Sequence, residues 1–181
     1  ISKLLPTADE ESLTQYVSII HRLADKLVDE IEAQRQLIQA ENNSLAIHIT
    51  PANTVELLGK AKEGYMNHEV AAGRYIEVDP EAGEYMISTD ETLIMRVIGN
   101  MTKNALEAIK PGETVILSCR KKDDKIRFTV QNPGEIPMEA RLLVFQRSFS
   151  TKGTGRGLGT YSIKLLSENY LKGTVGFTSS L

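Results

Sequence analysis

Leu13, Tyr16, Ile20, Leu23 and Leu27 recur at alternating spacings of three and four, the seam of a heptad helix. Ile31, Leu37 and Ile38 carry the stripe on with some drift, and Asp25, Lys26, Asp29, Glu32 and Arg35 occupy the opposite face. No glycine or proline interrupts the chain between Thr7 and Ser44. Thr7-Ala8-Asp9-Glu10 has the form of a capping box: the threonine hydroxyl accepts from the Glu10 amide, and the Glu10 side chain returns the bond. A helix of this length reaches on the order of 50 Å. One narrow apolar stripe cannot bury itself, so it calls for partner helices, and a dimeric bundle meets that need.

Near Pro51 the period changes. Val55 to Met66 reads as a helix, and Arg74 to Asp79 and Tyr85 to Ser88 read as strands joined by the turn signals Pro80 and Gly83. Asp90 is placed to cap a long helix containing Leu93, Val97, Ile98, Met101, Ala105, Leu106 and Ile109, closed by Pro111-Gly112. Thr114 to Arg120 and Lys125 to Gln131 form a hairpin pattern across Asp123-Asp124. A glycine-rich stretch then leads to a helix from about Leu158 to Tyr170 and a strand from Thr174 to Thr178. Strands mixed with helices predict an α/β sandwich of two layers over residues 51–181, preceded by a helical segment over residues 1–50.

Composition narrows the class. A chain of 181 residues, 41% hydrophobic and 25% charged, suits a globular protein with one good core. A net charge of −3 gives no electrostatic case for nucleic acid. No apolar run approaches the roughly 18 residues of a membrane helix, and no signal peptide opens the chain. The single cysteine, Cys119, excludes an internal disulfide and a cysteine-built zinc site, and reads as a small buried residue of a strand. A reducing, cytoplasmic setting is expected. Both ends read as cut: Ile1-Ser2-Lys3-Leu4-Leu5 looks like the tail of a helix, and Ser179-Ser180-Leu181 follows directly on a strand pattern, so the α/β domain is expected to be cut short at its C-terminal end.

Two motifs carry chemistry. In Lys152-Gly153-Thr154-Gly155-Arg156-Gly157-Leu158-Gly159 glycine takes every second place before a helix. Glycine lets main-chain N–H groups approach an anion with no Cβ in the way, and the following helix start adds partial positive charge, which suits a di- or triphosphate. The spacing matches neither the Walker loop nor GxGxxG. The plain alternative is a flexible glycine loop without a ligand. In Asn100-Met101-Thr102-Lys103-Asn104-Ala105-Leu106-Glu107-Ala108 the two asparagines share one helix face beside an apolar stripe. A carboxamide oxygen is a suitable hard ligand for Mg²⁺, and Lys103 can reach a phosphate. The plain alternative here is a solvated polar face.

Asn-x-x-x-Asn-Ala resembles the N-box of the histidine-kinase and gyrase-type ATPase superfamily, and Gly-Thr-Gly-Arg-Gly-Leu-Gly resembles its G2-box. Between them Phe145-Gln146-Arg147-Ser148-Phe149-Ser150-Thr151-Lys152 resembles the F-box and the Thr-Lys leading into the lid. Val130-Gln131-Asn132-Pro133-Gly134-Glu135-Ile136-Pro137 occupies the place of the G1-box. The resemblance spans roughly Pro51 to the end, and the long helix before it resembles the second helix of a kinase dimerisation domain. It implies a Bergerat-type sandwich that binds ATP and Mg²⁺, with Asn104 as the metal ligand and Lys103 and Lys152 beside the phosphates. The amides of Gly153, Gly155, Arg156, Gly157, Leu158 and Gly159 would line the lid side, with a mobile lid over roughly Pro133 to Arg156. Asn100 stands where gyrase-type relatives place a water-activating glutamate. An amide cannot be that base, which favours phosphoryl transfer to a protein over hydrolysis.

One box departs from the family form, Asp-x-Gly-x-Gly. Asn132 replaces the aspartate, Gly134 keeps the first glycine, and the second is missing or shifted. An asparagine carbonyl still accepts from the adenine amino group, as a neutral bond of about 0.5–1.5 kcal/mol. His21 lies on the long helix but points away from the seam, and Arg22 follows where the family's acceptor histidine has Asp or Glu. His48 and His68 read as surface residues. The resemblance therefore implies the ATP-binding portion of a two-component sensor histidine kinase whose phosphoacceptor histidine lies on a helix outside this chain. Its expected partners are a second copy through the bundle and a response regulator, and its expected place is the cytoplasm, with membrane anchoring of a longer protein left open. The rival readings are a gyrase- or MutL-like ATPase, and a non-catalytic dimerisation module with a degenerate ATP site.

Overall fold

The structure, a computed structural model, describes residues 10–147 and 158–179. The threonine of the expected capping box and the stretch from Ser148 to Gly157 lie outside them. The chain divides between Leu45 and Ala46 into two compact units.

The first unit is the helix α1 (Glu10–Glu41), which forms as its unbroken heptad pattern requires. It ends in a Schellman arrangement. Asn43 adopts φ 53°, the Asn43 amide donates to the Ala40 carbonyl at 3.2 Å, and the Ser44 amide donates to the Gln39 carbonyl at 2.9 Å. The seam residues Leu13, Tyr16, Ile20, Leu23, Leu27 and Ile31 are all exposed in the single chain.

The second unit runs through β1 (Thr50–Asn53), α2 (Thr54–Met66), a short 3₁₀ turn, β2 (Tyr75–Val78), β3 (Met86–Thr89) and α3 (Glu91–Ala108). It continues through β4 (Thr114–Lys122), β5 (Lys125–Gln131), the short α4 (Met138–Arg141) and α5 (Leu158–Leu165). Among the described residues β1 pairs antiparallel with β3, and a second sheet has the order β2-β4-β5, with β2 parallel and β5 antiparallel to β4. β2 and β3 are therefore consecutive in sequence but belong to different sheets. Helices cover one face of the larger sheet, giving the expected two-layer α/β arrangement. Its core joins Leu57, Leu58 and Ala61 of α2 and Ile98, Ala105 and Leu106 of α3 to Ile76, Val115, Leu117 and Cys119 of the sheet.

Local chemistry explains the joints. Asn53 caps α2 by accepting from the amides of Val55 and Glu56. The buried Thr54 hydroxyl donates to the Gly83 carbonyl at 2.9 Å and accepts from the Tyr85 amide at 3.0 Å, tying α2 to the loop before β3. Gly83 carries the Tyr85 ring where a Cβ would project, so no other residue fits there without moving the ring. Asp90, buried, accepts from the Leu93 amide at 3.0 Å as the cap of α3 and from the His48 amide at 2.8 Å. His68 does more than face solvent: its Nδ1 accepts from the Val70 amide at 3.0 Å, and its ring lies 5.4 Å from that of Tyr65.

Two sequence expectations need correction. The segment Thr174 to Thr178 forms no strand among the described residues, because an alternating pattern becomes a strand only where a neighbour completes the ladder. The helix expected to run from Leu158 to Tyr170 is α-helical only to Leu165 and continues as a π turn over Leu166–Tyr170. The strand β1 was not expected, since Pro51 marks a break in sequence; in the structure it takes a place in a two-stranded edge pair, where proline is tolerated.

Candidate nucleotide site

Helix α3 separates two kinds of surface. Leu93, Val97, Ile98, Thr102, Ala105 and Leu106 are buried, and the Thr102 hydroxyl is satisfied by the Ile98 carbonyl at 2.9 Å. Asn100, Lys103 and Asn104 are half-buried, and no hydrogen bond or ion pair holds their side chains among the described residues. A half-buried carboxamide that no protein group holds keeps its donor and acceptor capacity for something else.

What faces that amide is a glycine. A Cβ built on Gly159, in the first turn of α5, would lie 3.5 Å from Asn104 Oδ1 and 3.6 Å from Nδ2. The absence of a side chain there keeps one side of the carboxamide open. Lys152, Gly153, Gly155, Arg156 and Gly157 lie outside the described residues, so of the glycine-rich stretch only Leu158 and Gly159 are described, at the start of α5.

A second loop meets α3 one turn further on. Gly134 adopts φ +126°, a backbone conformation that favours glycine, and its Cβ position lies 3.9 Å from the Ala108 carbonyl and 3.5 Å from Asn132 Nδ2. Asn132 Nδ2 donates to the Pro133 carbonyl at 2.9 Å. A carbonyl can only accept, so this bond fixes the amide orientation and leaves Oδ1 as the open acceptor.

The loop after Gly134 is braced in part by Arg141 and Ser179, which belong to none of the sequence motifs. Arg141 of α4 donates to the Ile136 carbonyl at 2.9 Å and to Glu135 Oε1 at 2.8 Å. Ser179 Oγ accepts from the Ile136 amide at 2.9 Å. Phe145 packs against Phe177 with ring centroids 6.0 Å apart. Glu135 and Arg141 are six positions apart, a spacing that no helix or strand period flags.

Among the described residues no three His, Cys, Asp or Glu side chains converge as a metal site. A hard divalent cation here would take its oxygen ligands from an amide such as Asn104, from phosphates and from water, which is how magnesium is usually held beside a nucleotide. The open Asn104 carboxamide and the glycine beside it fit that group.

Residues 89–181, which contain all of these elements from α3 onward, match the family described as histidine kinase-, DNA gyrase B-, and HSP90-like ATPase. The chain belongs to this family. Among curated proteins the chain is similar to the sensor histidine kinase CusS of Escherichia coli O6:H1, 30% identical over 152 residues. That match covers 80% of this chain and 31% of the relative, so the chain spans about a third of the length of the CusS proteins it matches. Solved structures with the same fold include full-length ShkA in complex with AMPPNP, with TM-score 0.70, 22% identity and coverage of 90% of this chain and 35% of that one. Histidine kinase ThkA in complex with the response regulator protein TrrA gives TM-score 0.57 at 22% identity, covering 82% of this chain and 43% of that one. No helix among the described residues is long and apolar enough to cross a membrane.

Proposed function

We propose that this chain is the catalytic, ATP-binding portion of a two-component sensor histidine kinase, holding Mg·ATP for transfer of its γ-phosphoryl to a histidine on a helix outside the chain. The observation that carries the reading is the Asn104 carboxamide, which no hydrogen bond holds among the described residues and which faces Gly159. In this reading Asn104 Oδ1 would be the protein's ligand for Mg²⁺, whose charge, when bound, would offset that of the phosphates. Lys103 would approach the phosphates from the same helix, and Lys152 and the main-chain amides of Gly153, Gly155, Arg156, Gly157, Leu158 and Gly159 are the further groups this reading assigns to them. Asn132 Oδ1, oriented by Pro133, accepts from the adenine amino group. Phosphoryl transfer asks mainly for positioning and charge stabilisation, and the side chains of α3 supply both without a general base. Asn100, an amide, cannot activate water, which supports transfer to a protein over hydrolysis.

The exposed seam of α1 supports a second part of the reading, a homodimer through a helical bundle. The similarity to sensor kinases supports a response regulator as the downstream partner and a cytoplasmic place for this portion.

Isothermal calorimetry with ATP, with and without Mg²⁺, tests the site. One nucleotide should bind per chain, and Asn104→Ala should weaken the Mg²⁺ complex by about 10- to 100-fold, the loss of one bond to a charged group, while metal-free nucleotide loses much less. Equal losses in the two conditions would remove the metal role of Asn104. No binding by the unsubstituted chain would remove the reading altogether.

A further inference from the structure

The outer face of the β2-β4-β5 sheet carries an unusual charge pattern at its hairpin end. The register places Arg120 directly across from Arg127, and Lys122 directly across from Lys125. All four are exposed, on the face opposite the buried Val115, Leu117 and Cys119. Cross-strand neighbours lie about 5 Å apart and same-strand neighbours about 7 Å apart, so the four cations form a compact grid. Like charges directly opposite one another oppose pairing of the strands. Arg120 is relieved by Asp79 at 3.2 Å and Glu81 at 3.0 Å. No ion pair reaches Lys122, Lys125 or Arg127 among the described residues. Folding does not need this arrangement: a single opposite charge at either position would favour the hairpin.

We propose that this grid is a docking surface for a protein segment bearing spaced carboxylates. Two features point to a protein rather than to a lipid surface or nucleic acid. The cations Arg120, Lys122, Lys125 and Arg127 of this face are framed by Asp79, Glu81, Asp123 and Asp124, so the patch is patterned rather than uniformly positive and an extended polyanion would meet repulsion as well as attraction. Further along the same face Ile116, four positions from Arg120, and Tyr75, level with Thr114, are exposed, giving an apolar contact at the far end of a strand-length segment. A patterned partner with carboxylates at strand spacing and one apolar contact satisfies both. The surface is separate from the residues of α3 and α5 assigned to the nucleotide.

Fluorescence anisotropy tests this with the full chain and a labelled decapeptide of alternating glutamate and threonine at low salt. The double variant Lys122→Glu with Arg127→Glu should bind the peptide at least about fivefold more weakly, the scale of losing exposed charge pairs. The same variant places opposite charges across both pairs, so its melting temperature should hold or rise, and its affinity for Mg·ATP should not change. Loss of binding at equal or higher stability separates docking from a structural role. Lys125→Gln with Arg127→Gln, which removes charge without reversing it, should show the same order with a smaller drop. Lys164→Glu, an exposed cation elsewhere, should bind the peptide normally. The proposal is overturned if the peptide does not bind, if the grid variants bind as well as the unsubstituted chain, or if Lys164→Glu weakens binding as much. It is equally overturned if phosphatidylglycerol vesicles or duplex DNA bind more tightly than the peptide through the same four residues.

Discussion

Gly159→Ala is the most discriminating change at the nucleotide site, because structure predicts opposite effects on stability and on binding. The new methyl carbon would lie 3.5 Å from Asn104 Oδ1 and 3.6 Å from Nδ2, which is ordinary van der Waals contact, so nothing has to shift. Gly159 sits in the first turn of α5, where alanine is the better helix former by up to about 1 kcal/mol. The fold should therefore keep its stability or gain by a fraction of that amount. The methyl does, however, occupy the open side of the Asn104 amide. Losing one bond from that amide to a charged group costs about 1.5–3 kcal/mol, which corresponds to roughly 10- to 100-fold in the affinity for Mg·ATP. Calorimetry and thermal melting on the same preparation give both numbers. In an Asn104→Ala background the same glycine change should cost little further, since the group it blocks is gone. Unchanged affinity in Gly159→Ala, or full additivity of the two changes, would refute the argument that this glycine exists to keep the amide open.

Asp90→Ala removes the acceptor for two amides, those of Leu93 and His48, and should lower stability by about 2–4 kcal/mol in urea denaturation, with Asp90→Asn falling between. The Glu81 amide first, and Arg120 second, hold the Asp79 carboxyl below its ordinary value; this stabilising contribution is present at neutral pH and is lost as pH falls through the folded value. Arg120→Ala should raise the Asp79 titration midpoint read by NMR without returning it fully to the ordinary value, because the Glu81 amide remains. Ile20→Asp, in the exposed seam of α1, should shift sedimentation toward monomer while leaving the melting of the Ala46–Leu181 unit unchanged; self-association as strong as before would count against a bundle built on that seam.

Much of the fold was legible because the signals are local. The heptad spacing of Leu13 to Leu27 is a helix whatever surrounds it, and Asp90 announces α3 because an aspartate before an apolar-periodic run has little else to do. The unread elements depend on distant partners. Thr50–Asn53 is a strand only because Met86–Thr89 lies beside it, and Thr174 to Thr178 has the alternation of a strand but lacks a neighbour among the described residues. Asn43 at the end of α1 adopts a left-handed conformation that a reading for glycine stops passes over. At the site, the i, i+4 spacing of Asn100 and Asn104 was readable from sequence. The contact of Gly159 with Asn104 was not, because those residues are brought together by packing between α3 and α5. Nor was the Asn132–Pro133 clasp, which requires the turn geometry of Gly134 to be known.

Helix α3 shows why the fold and the site can be altered separately. Its buried face packs Ile98, Ala105 and Leu106 into the main core, where deleting a leucine side chain costs about 2–5 kcal/mol. Its half-buried face presents Asn100, Lys103 and Asn104, which make no bond among the described residues and so contribute little that folding would miss. A half-buried amide that no protein group holds costs the free protein little, and its open valences remain for a ligand. The unliganded domain is thus held together by one side of α3 while the other side is left incomplete. Stability loss should accordingly concentrate in substitutions at positions such as Leu106, and affinity loss in substitutions at Asn104. A substitution at Asn104 that destabilised the free domain as much as Leu106→Ala would show that the amide has a structural partner after all, and would remove the argument that its open valences belong to a ligand.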